Sequence, residues 1–276
     1  MKNKPFLLVA NWKMNPLTLK EADRIIKSLE KGIRAMNKKD FFQKIDLVVC
    51  PPSVFLGRLP NSSGFNWGIQ NIHWETRGAF TGELSVKMAE DARCQYAIVG
   101  HSERRKFFGE KDQGVNQKIL SVLGGNLNPI LCIGETKEER EQNKTNDVVK
   151  NQIYQALQNV SALNLPRIAI AYEPVWAISN MSNPAIQSSN NTYLNTADSP
   201  DDVMGVTILI RKILSQMYRS DITKKTKILY GGSVSQRNID GFLDTDILDG
   251  LLIGGASLSM FEFLPIIKSC YENRSK

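Results

Sequence analysis

The sequence predicts an α/β protein built as a closed (β/α)8 barrel, and two observations carry this prediction. Short β-rich apolar runs recur along all 276 residues. Most segments between these runs are amphipathic and begin with helix start signals. Near-continuous apolar strands alternating with helices are typical of a parallel sheet covered on its outside, and eight units in this length favour closure. An open doubly wound sheet is the lesser alternative.

The eight predicted strands share an apolar, β-branched composition. In chain order they are FLLVANWK, IDLVVCPPS, WGIQN, YAIVGHSE, PILCIGE, RIAIAYEP, KILYGGS and GLLIGGAS. The spacing is architectural, because the units are not close copies of one another. No linker divides the chain, so we expect a single domain over residues 1–276.

Helix starts are marked by capping residues between the strands. Thr18 to Glu21 and Thr136 with Glu139 have the spacing of a capping box. Ser199-Pro200 offers an N-cap followed by a proline suited to the first turn. The apolar residues at helical spacing are Ala22, Ile25, Ile26, Leu29 and Ile33 in the first helix, and Val203, Val206, Ile210, Ile213 and Met217 in the helix that begins at Ser199-Pro200.

Composition argues against several classes of protein. The formal charge of +7 is spread over scattered lysines and arginines among nearly as many acids, so we expect no nucleic-acid partner. Four widely spaced cysteines suggest neither a disulfide framework nor a metal cluster: Cys50, Cys94, Cys132 and Cys270. No apolar run approaches the length of a membrane span. We therefore expect a soluble cytoplasmic protein without a membrane partner.

Polar side chains and glycines follow the predicted strands. They are Asn11, Lys13, His101, Ser102, Glu103, Glu135, Glu173, Gly231, Gly232, Ser233, Gly254 and Gly255. Each has an ordinary structural interpretation on its own, such as a salt bridge, a structural histidine or a tight turn. In a barrel, however, the carboxyl ends of all strands meet on one face, where active sites are built. A buried group of Lys, His and Glu is costly unless its members pair or react, so the set indicates a catalytic site.

The glycine segments after the last two strands suit a phosphate group. Small residues let backbone N–H groups approach an anion, and loops at these two positions often form such a site. Neither GGS nor GG is followed by the GK[ST] sequence of a P-loop, so nucleotide hydrolysis is not predicted.

Seven motifs together resemble the triosephosphate isomerase family, whose fold is the (β/α)8 TIM barrel. They are ANWKMN (10–15), GAFTGE (78–83), GHSERR (100–105), CIGE (132–135), AYEPVWA (171–177), YGGSV (230–234) and GGASL (254–258). They occur in the family's order and cover the chain almost end to end.

The resemblance implies interconversion of dihydroxyacetone phosphate and D-glyceraldehyde 3-phosphate through an enediolate, in glycolysis and gluconeogenesis, without cofactor or metal. Glu173 would move the proton between the two carbons, and His101 would polarise the carbonyl. The pairing of a glutamate base with a neutral histidine is that of the family itself. Lys13 would hold the anionic substrate and Asn11 would help to orient it.

The resemblance also implies supporting residues. Ser102 and Glu103 would position the catalytic group, and Glu135 would meet the lid hinge at Trp176. Residues carried over to bind substrate, beside Asn11 and Lys13, are Ser179, Ser233, Gly254 and Gly255.

A homodimer is implied by GAFTGE, which matches the loop that enters the partner subunit in the family. Thr81 would approach Asn11 and Lys13 of the other subunit, and Glu83 would pair with Arg104 across the contact. An unassisted surface turn is the alternative.

The match fails at about residues 178–199, where the family has a short lid of the form AIGTGK. This segment is rich in Ser, Asn and Thr and has about fourteen more residues than that lid, a length uncommon for a loop. Ser179 replaces the lid glycine that contacts phosphate but keeps its backbone N–H. We expect the lid to bind the substrate phosphate more weakly, because ordering a longer loop costs more entropy.

The altered lid leaves two alternatives to an active triosephosphate isomerase. The first is a related isomerase acting on a different sugar phosphate in a larger pocket. The second is a non-catalytic barrel that binds anionic metabolites or a protein.

Overall fold

The computed structural model describes residues 4–60, 64–177 and 198–276, and it forms a closed barrel of eight parallel strands. The strands are β1 (Phe6–Asn11), β2 (Ile45–Cys50), β3 (Asn66–Ile69), β4 (Cys94–Val99), β5 (Asn128–Ile133), β6 (Ala169–Tyr172), β7 (Lys227–Tyr230) and β8 (Gly250–Ile253). Each pairs with its neighbours in sequence order, and β1 also pairs with β8. The predicted (β/α)8 TIM barrel is confirmed, and the open sheet was the wrong alternative.

Helices follow the strands and cover the barrel. The α-helices of the described residues are α1 (Leu19–Ala35), α2 (Phe41–Lys44), α3 (Val86–Asp91), α4 (Ser102–Phe108), α5 (Asp112–Gly124), α6 (Lys137–Glu141), α7 (Thr145–Ala156), α8 (Pro200–Met217), α9 (Ser220–Thr223), α10 (Ile239–Asp244) and α11 (Met260–Asn273). Short 3₁₀ helices span Ser53–Phe55, Leu165–Arg167, Val175–Ala177 and Gly255–Leu258. None of the described helices is long and apolar enough to cross a membrane.

The core has two layers because successive side chains of a strand point to opposite faces. In β1, Leu7 and Val9 belong to the cluster inside the barrel, whereas Phe6, Leu8 and Ala10 pack in the layer between barrel and helices. All six residues of β1 are buried. Burial on both faces explains why the strands read as continuous apolar runs.

The predicted helix starts are confirmed. Thr18 accepts a hydrogen bond from the Glu21 N–H at 3.2 Å, and both hydrogen bonds of the capping box form between Thr136 and Glu139. Ser199 accepts from the Asp202 N–H at 3.1 Å, at the start of α8. Local sequence therefore fixes where these helices begin.

The four cysteines are buried free thiols. Burial raises the pKa of Cys94 to about 12 and moves the pKa of Cys50, Cys132 and Cys270 in the same direction. These thiols therefore behave as small apolar side chains.

Candidate active site

The carboxyl ends of the strands bring most of the predicted residues onto one face of the barrel. Asn11 is the last residue of β1 and Glu173 directly follows β6. His101 and Glu135 each lie two residues beyond a strand, β4 and β5 respectively. All four are at least nine-tenths buried. The topology of the barrel, and not nearness in sequence, assembles this site.

Each carboxylate oxygen of Glu173 faces a hydrogen-bond donor at the start of α4. Its Oε1 is 3.1 Å from His101 Nε2, and its Oε2 accepts from the backbone N–H of Ser102 at 3.0 Å. Only 2% of the residue is exposed. Hydrogen bonds from such donors offset the cost of burying a carboxyl group this deeply.

Glycines on both sides allow the backbone to place Glu173. A Cβ on Gly134 would lie 1.9 Å from the Glu173 carbonyl oxygen, and one on Gly231 would lie 2.8 Å from its Cγ. Gln152 holds the backbone N–H and carbonyl of Gly134 at 2.8 and 3.2 Å. Any larger side chain at Gly134 would displace Glu173.

His101 uses its two ring nitrogens differently. Nδ1 accepts from the Glu103 N–H at 3.2 Å, which caps α4, while Nε2 faces Glu173. The Glu103 Oε2 atom, 3.7 Å from Nδ1, is too far away for a hydrogen bond. An Nδ1 that accepts carries no proton, so the proton lies on Nε2 and the imidazole is neutral.

Lys13 is fixed by its backbone and its side chain. Its φ of 53° is left-handed, its N–H donates to Asn11 Oδ1 at 3.0 Å, and its Nζ lies 2.6 Å from Glu103 Oε1. Gln70, which the sequence interpretation did not select, donates to the carbonyls of Lys13 and Cys50 at 2.8 Å each. Its position directly after β3 is the sequence feature that could have identified Gln70 as a site residue.

Glu135 binds the residues on both sides of the candidate base. It accepts from the Tyr172 hydroxyl at 3.1 and 3.2 Å and from Trp176 Nε1 at 2.9 Å. The Val175 N–H donates to its carbonyl oxygen at 3.0 Å. This fully buried carboxylate thus holds the chain before and after Glu173.

Arg140 and Asp198 lie beside these contacts, and the sequence interpretation missed both. The Arg140 guanidinium lies over the Trp176 ring at 4.3 Å, with Nη1 3.7 Å from Glu135 and Nη2 3.5 Å from Asp198. Neither residue stood out in the sequence, because Arg140 lies in a charged helix and Asp198 lies near the end of the polar segment 178–199.

The two glycine segments lie beside the site. A Cβ on Gly254 would be 3.2 Å from Lys13 Cε, so glycine leaves room for the lysine there. Gly255 begins the 3₁₀ helix after β8. The Ser233 N–H donates to the Ala177 carbonyl at 3.1 Å and is therefore already bonded. Ser179 and residues 178–197 of the predicted lid lie outside the described residues.

The sequence predicted a dimer contact formed by Thr81, Glu83 and Arg104. Thr81 and Glu83 are exposed. Arg104 lies 3.2 Å from Glu110 of its own chain and 5.0 Å from the ring of Phe108. Within a single chain, Arg104 thus already has an acidic neighbour.

The fold and the site define an enzyme of the (β/α)8-barrel class, with a buried carboxylate, a neutral imidazole and a cation on its catalytic face. The family model for triosephosphate isomerase matches residues 6–270. The chain belongs to the triosephosphate isomerase family.

Curated relatives agree over nearly the whole chain. A triosephosphate isomerase from Aquifex aeolicus is 40% identical over 266 residues, covering 95% of this chain and 98% of the relative. One from Dictyoglomus thermophilum is 39% identical over 269 residues with the same two coverages. One from Endomicrobium trichonymphae is 38% identical over 265 residues, covering 95% of this chain and 97% of the relative.

Proposed function

We propose that this chain is an active triosephosphate isomerase that interconverts dihydroxyacetone phosphate and D-glyceraldehyde 3-phosphate. The observation that carries the proposal is the Glu173 carboxylate, held between His101 Nε2 and the Ser102 N–H on the catalytic face. The relatives, all named for this one activity, favour it over a different sugar-phosphate substrate or a non-catalytic barrel.

Glu173 is the proposed base and His101 the proposed hydrogen-bond donor to the substrate. The single Nε2–H of His101 serves one acceptor well at a time. A substrate carbonyl that takes this hydrogen bond therefore frees Glu173 Oε1 to abstract the neighbouring C–H proton. The same Nε2–H then stabilises the negative oxygen of the enediolate. The hydroxyl proton moves to the oxygen that was the carbonyl, and Glu173 returns the carbon-bound proton to the adjacent carbon, which leaves a carbonyl at the former hydroxyl position.

Lys13 is the proposed anchor for the anionic substrate. Its backbone is fixed by Asn11 and Gln70, and Glu103 holds its ammonium group in place before substrate arrives. Such preorganisation reduces the cost of ordering the cation when the anion binds. Asn11, Gly254 and Gly255 line the same side of the face and are proposed to contact substrate.

The function is tested by a phosphorus NMR time course with glyceraldehyde 3-phosphate and a protein-free control. We expect conversion to dihydroxyacetone phosphate. Released inorganic phosphate reports on the protection of the enediolate, because water reaching the intermediate promotes side reactions. No conversion, together with saturable binding of a phosphate ligand, would indicate the non-catalytic barrel instead.

We also propose a homodimer, supported by exposed apolar residues in the two loops that the family places at its contact. Met14 and Leu17 follow Lys13, and Phe80 precedes Thr81; their exposed fractions are 86%, 85% and 42%. Large apolar side chains this exposed in loops expected at a contact are in keeping with an interface. Pairing of Glu83 with Arg104 would then compete with Glu110 for the arginine.

Leu17→Asp is expected to weaken the dimer. Sedimentation equilibrium should give about twice the chain mass of 31.0 kDa for the unmodified protein. An unpaired carboxylate buried in the contact should raise the dissociation constant about 10²-fold or more. Leu163→Asp is the matched control, because Leu163 is 89% exposed and lies outside the proposed contact. Equal masses for the two variants would contradict the placement of the contact.

A single domain over residues 1–276 and a cytoplasmic location are further parts of the proposal. The family match over residues 6–270 supports the first. The four free, buried thiols are in keeping with a reducing compartment and support the second.

A further inference from the structure

A partly buried cluster of charges lies between the two described chain ends that flank residues 178–197. Arg140 stacks on Trp176 on one side and lies 3.5 Å from Asp198 and 3.1 Å from Asp202 on the other. The same guanidinium is 3.7 Å from Glu135. One cation is thus shared by three carboxylates and one indole ring.

Asp198 is the unusual member of this cluster. Its side chain is fully buried, and neither carboxylate oxygen has a hydrogen bond of good geometry among the described residues. The nearby Asp202 carboxylate adds to the effect of burial in raising the pKa of Asp198. Burying an ionised carboxylate without hydrogen bonds is costly, and an ion pair at this distance offsets only part of the cost. The proposed reaction makes no use of this acid, so its burial calls for another explanation.

Four other elements present titratable or charged groups to Asp198. They are Glu135 after β5, Arg140 of α6, Tyr172 of β6 and Tyr230 of β7, and Asp202 of α8 also lies close by. Burial raises the pKa of Asp198 to about 7, against the attraction of Arg140. The hydrogen bond from Ser199 lowers the pKa of Asp202. A pKa of about 7 allows the charge of Asp198 to change near neutral pH.

The charge of Asp198 is connected to the base through Arg140 and Glu135. Glu135 accepts hydrogen bonds from Tyr172 and Trp176, which precede and follow Glu173 in the chain. Arg140 divides its attraction among Glu135, Asp198 and Asp202. Protonation of Asp198 removes one of these three negative charges and so strengthens the attraction of the guanidinium to Glu135 and Asp202. The hydrogen bonds that hold both sides of Glu173 then change.

We propose that Asp198 is a positioning residue for the isomerisation, acting through Arg140 on Glu135 and Trp176, and that its ionised form supports the productive hinge. This inference rests on the proposed function. It predicts that catalysis responds to pH through a group that does not touch substrate.

The direct test follows the indole N–H resonance of Trp176 without substrate. A ¹H–¹⁵N spectrum is recorded from pH 5.5 to 8.5, with the resonance assigned by its loss in Trp176→Phe. We expect the resonance to shift with a midpoint near the pKa of about 7 for Asp198, and the shift to disappear in Asp198→Asn. Asp201→Asn is the matched control, because it makes the same change at an exposed position in the first turn of α8.

Kinetics supply a second readout. The ratio of kcat/KM in the unmodified protein to that in Asp198→Asn cancels the ionisation of the substrate phosphate, which titrates near pH 6. We expect this ratio to rise from about one at pH 5.5 to about threefold or more at pH 8.5. The corresponding ratio for Asp201→Asn should stay flat.

Three results would overturn the inference. They are a Trp176 resonance that does not move with pH, a shift that persists in Asp198→Asn and so belongs to a histidine, and a flat kinetic ratio. The first needs no variant, so it stands even if Asp198→Asn does not fold. Absence of turnover in the unmodified protein would instead remove the proposed function, so the two failures are distinguishable.

Discussion

Replacing Glu173 with glutamine is expected to lower kcat by about 10³-fold, because the amide cannot accept the proton that the carboxylate moves. Size is nearly unchanged, so Lys13 should still bind the anionic substrate and KM should change far less than kcat. Steady-state kinetics in both directions of the reaction measure the effect. Glu272→Gln on α11 is the control, since Glu272 is exposed and its only described ion pair is with Lys268.

The glutamine variant should also lose some stability. Two donors, His101 Nε2–H and the Ser102 N–H, face the two oxygens of Glu173. A glutamine has one oxygen, so its NH₂ group must face one of these donors, which costs about 1–2 kcal/mol. Thermal unfolding should therefore show a folded but less stable protein. A kcat within tenfold of the unmodified value would exclude Glu173 as the base.

His101→Asn is expected to lower kcat by about 10²- to 10³-fold, the cost of removing one donor to a developing oxyanion. The shorter asparagine keeps an oxygen near the position of Nδ1, where it can accept from the Glu103 N–H and cap α4. Its side chain ends before the position of Nε2, so nothing donates to the substrate carbonyl. The helix start and the catalytic contact are thereby separated.

His101→Ala provides the comparison for this variant. It should lose the same factor in kcat and, in addition, about 1 kcal/mol of stability, because the cap on α4 is also removed. The two variants should thus share their kinetics and differ in their unfolding midpoints. A His101→Asn protein that keeps more than a tenth of the original kcat would contradict the proposed role of Nε2.

The neutral form of His101 rests on a contact that sequence could not supply. The family resemblance implied a neutral histidine, but the reason in this chain is the Glu103 N–H, which donates to Nδ1 at 3.2 Å. The sequence GHSERR places His101 two residues before Glu103 without showing that a helix begins between them. Only the backbone of α4 turns that N–H back toward the ring.

Gln70 and Arg140 lie beside the site but could not be identified from the sequence. Gln70 followed the third strand, just as Asn11 and Glu173 end or follow theirs, but a single amide has many ordinary explanations. Arg140 lies in a charged helix segment, Lys137–Glu141, that looks like a solvated surface. Its importance comes from Trp176 and Asp198, which are 36 and 58 positions further along the chain.

The sequence by itself determined the strands, the helix starts and the face on which the site lies. These features depend on local periodicity, on capping residues such as Thr136 and Ser199, and on the rule that parallel strands share one carboxyl end. The tertiary structure alone decided which groups became partners. Glu135 contacts Tyr172, Trp176 and Arg140, and Asp198 is buried with no hydrogen bond of good geometry among the described residues. These contacts join distant parts of the chain and their energies depend on burial, so the sequence could not predict them.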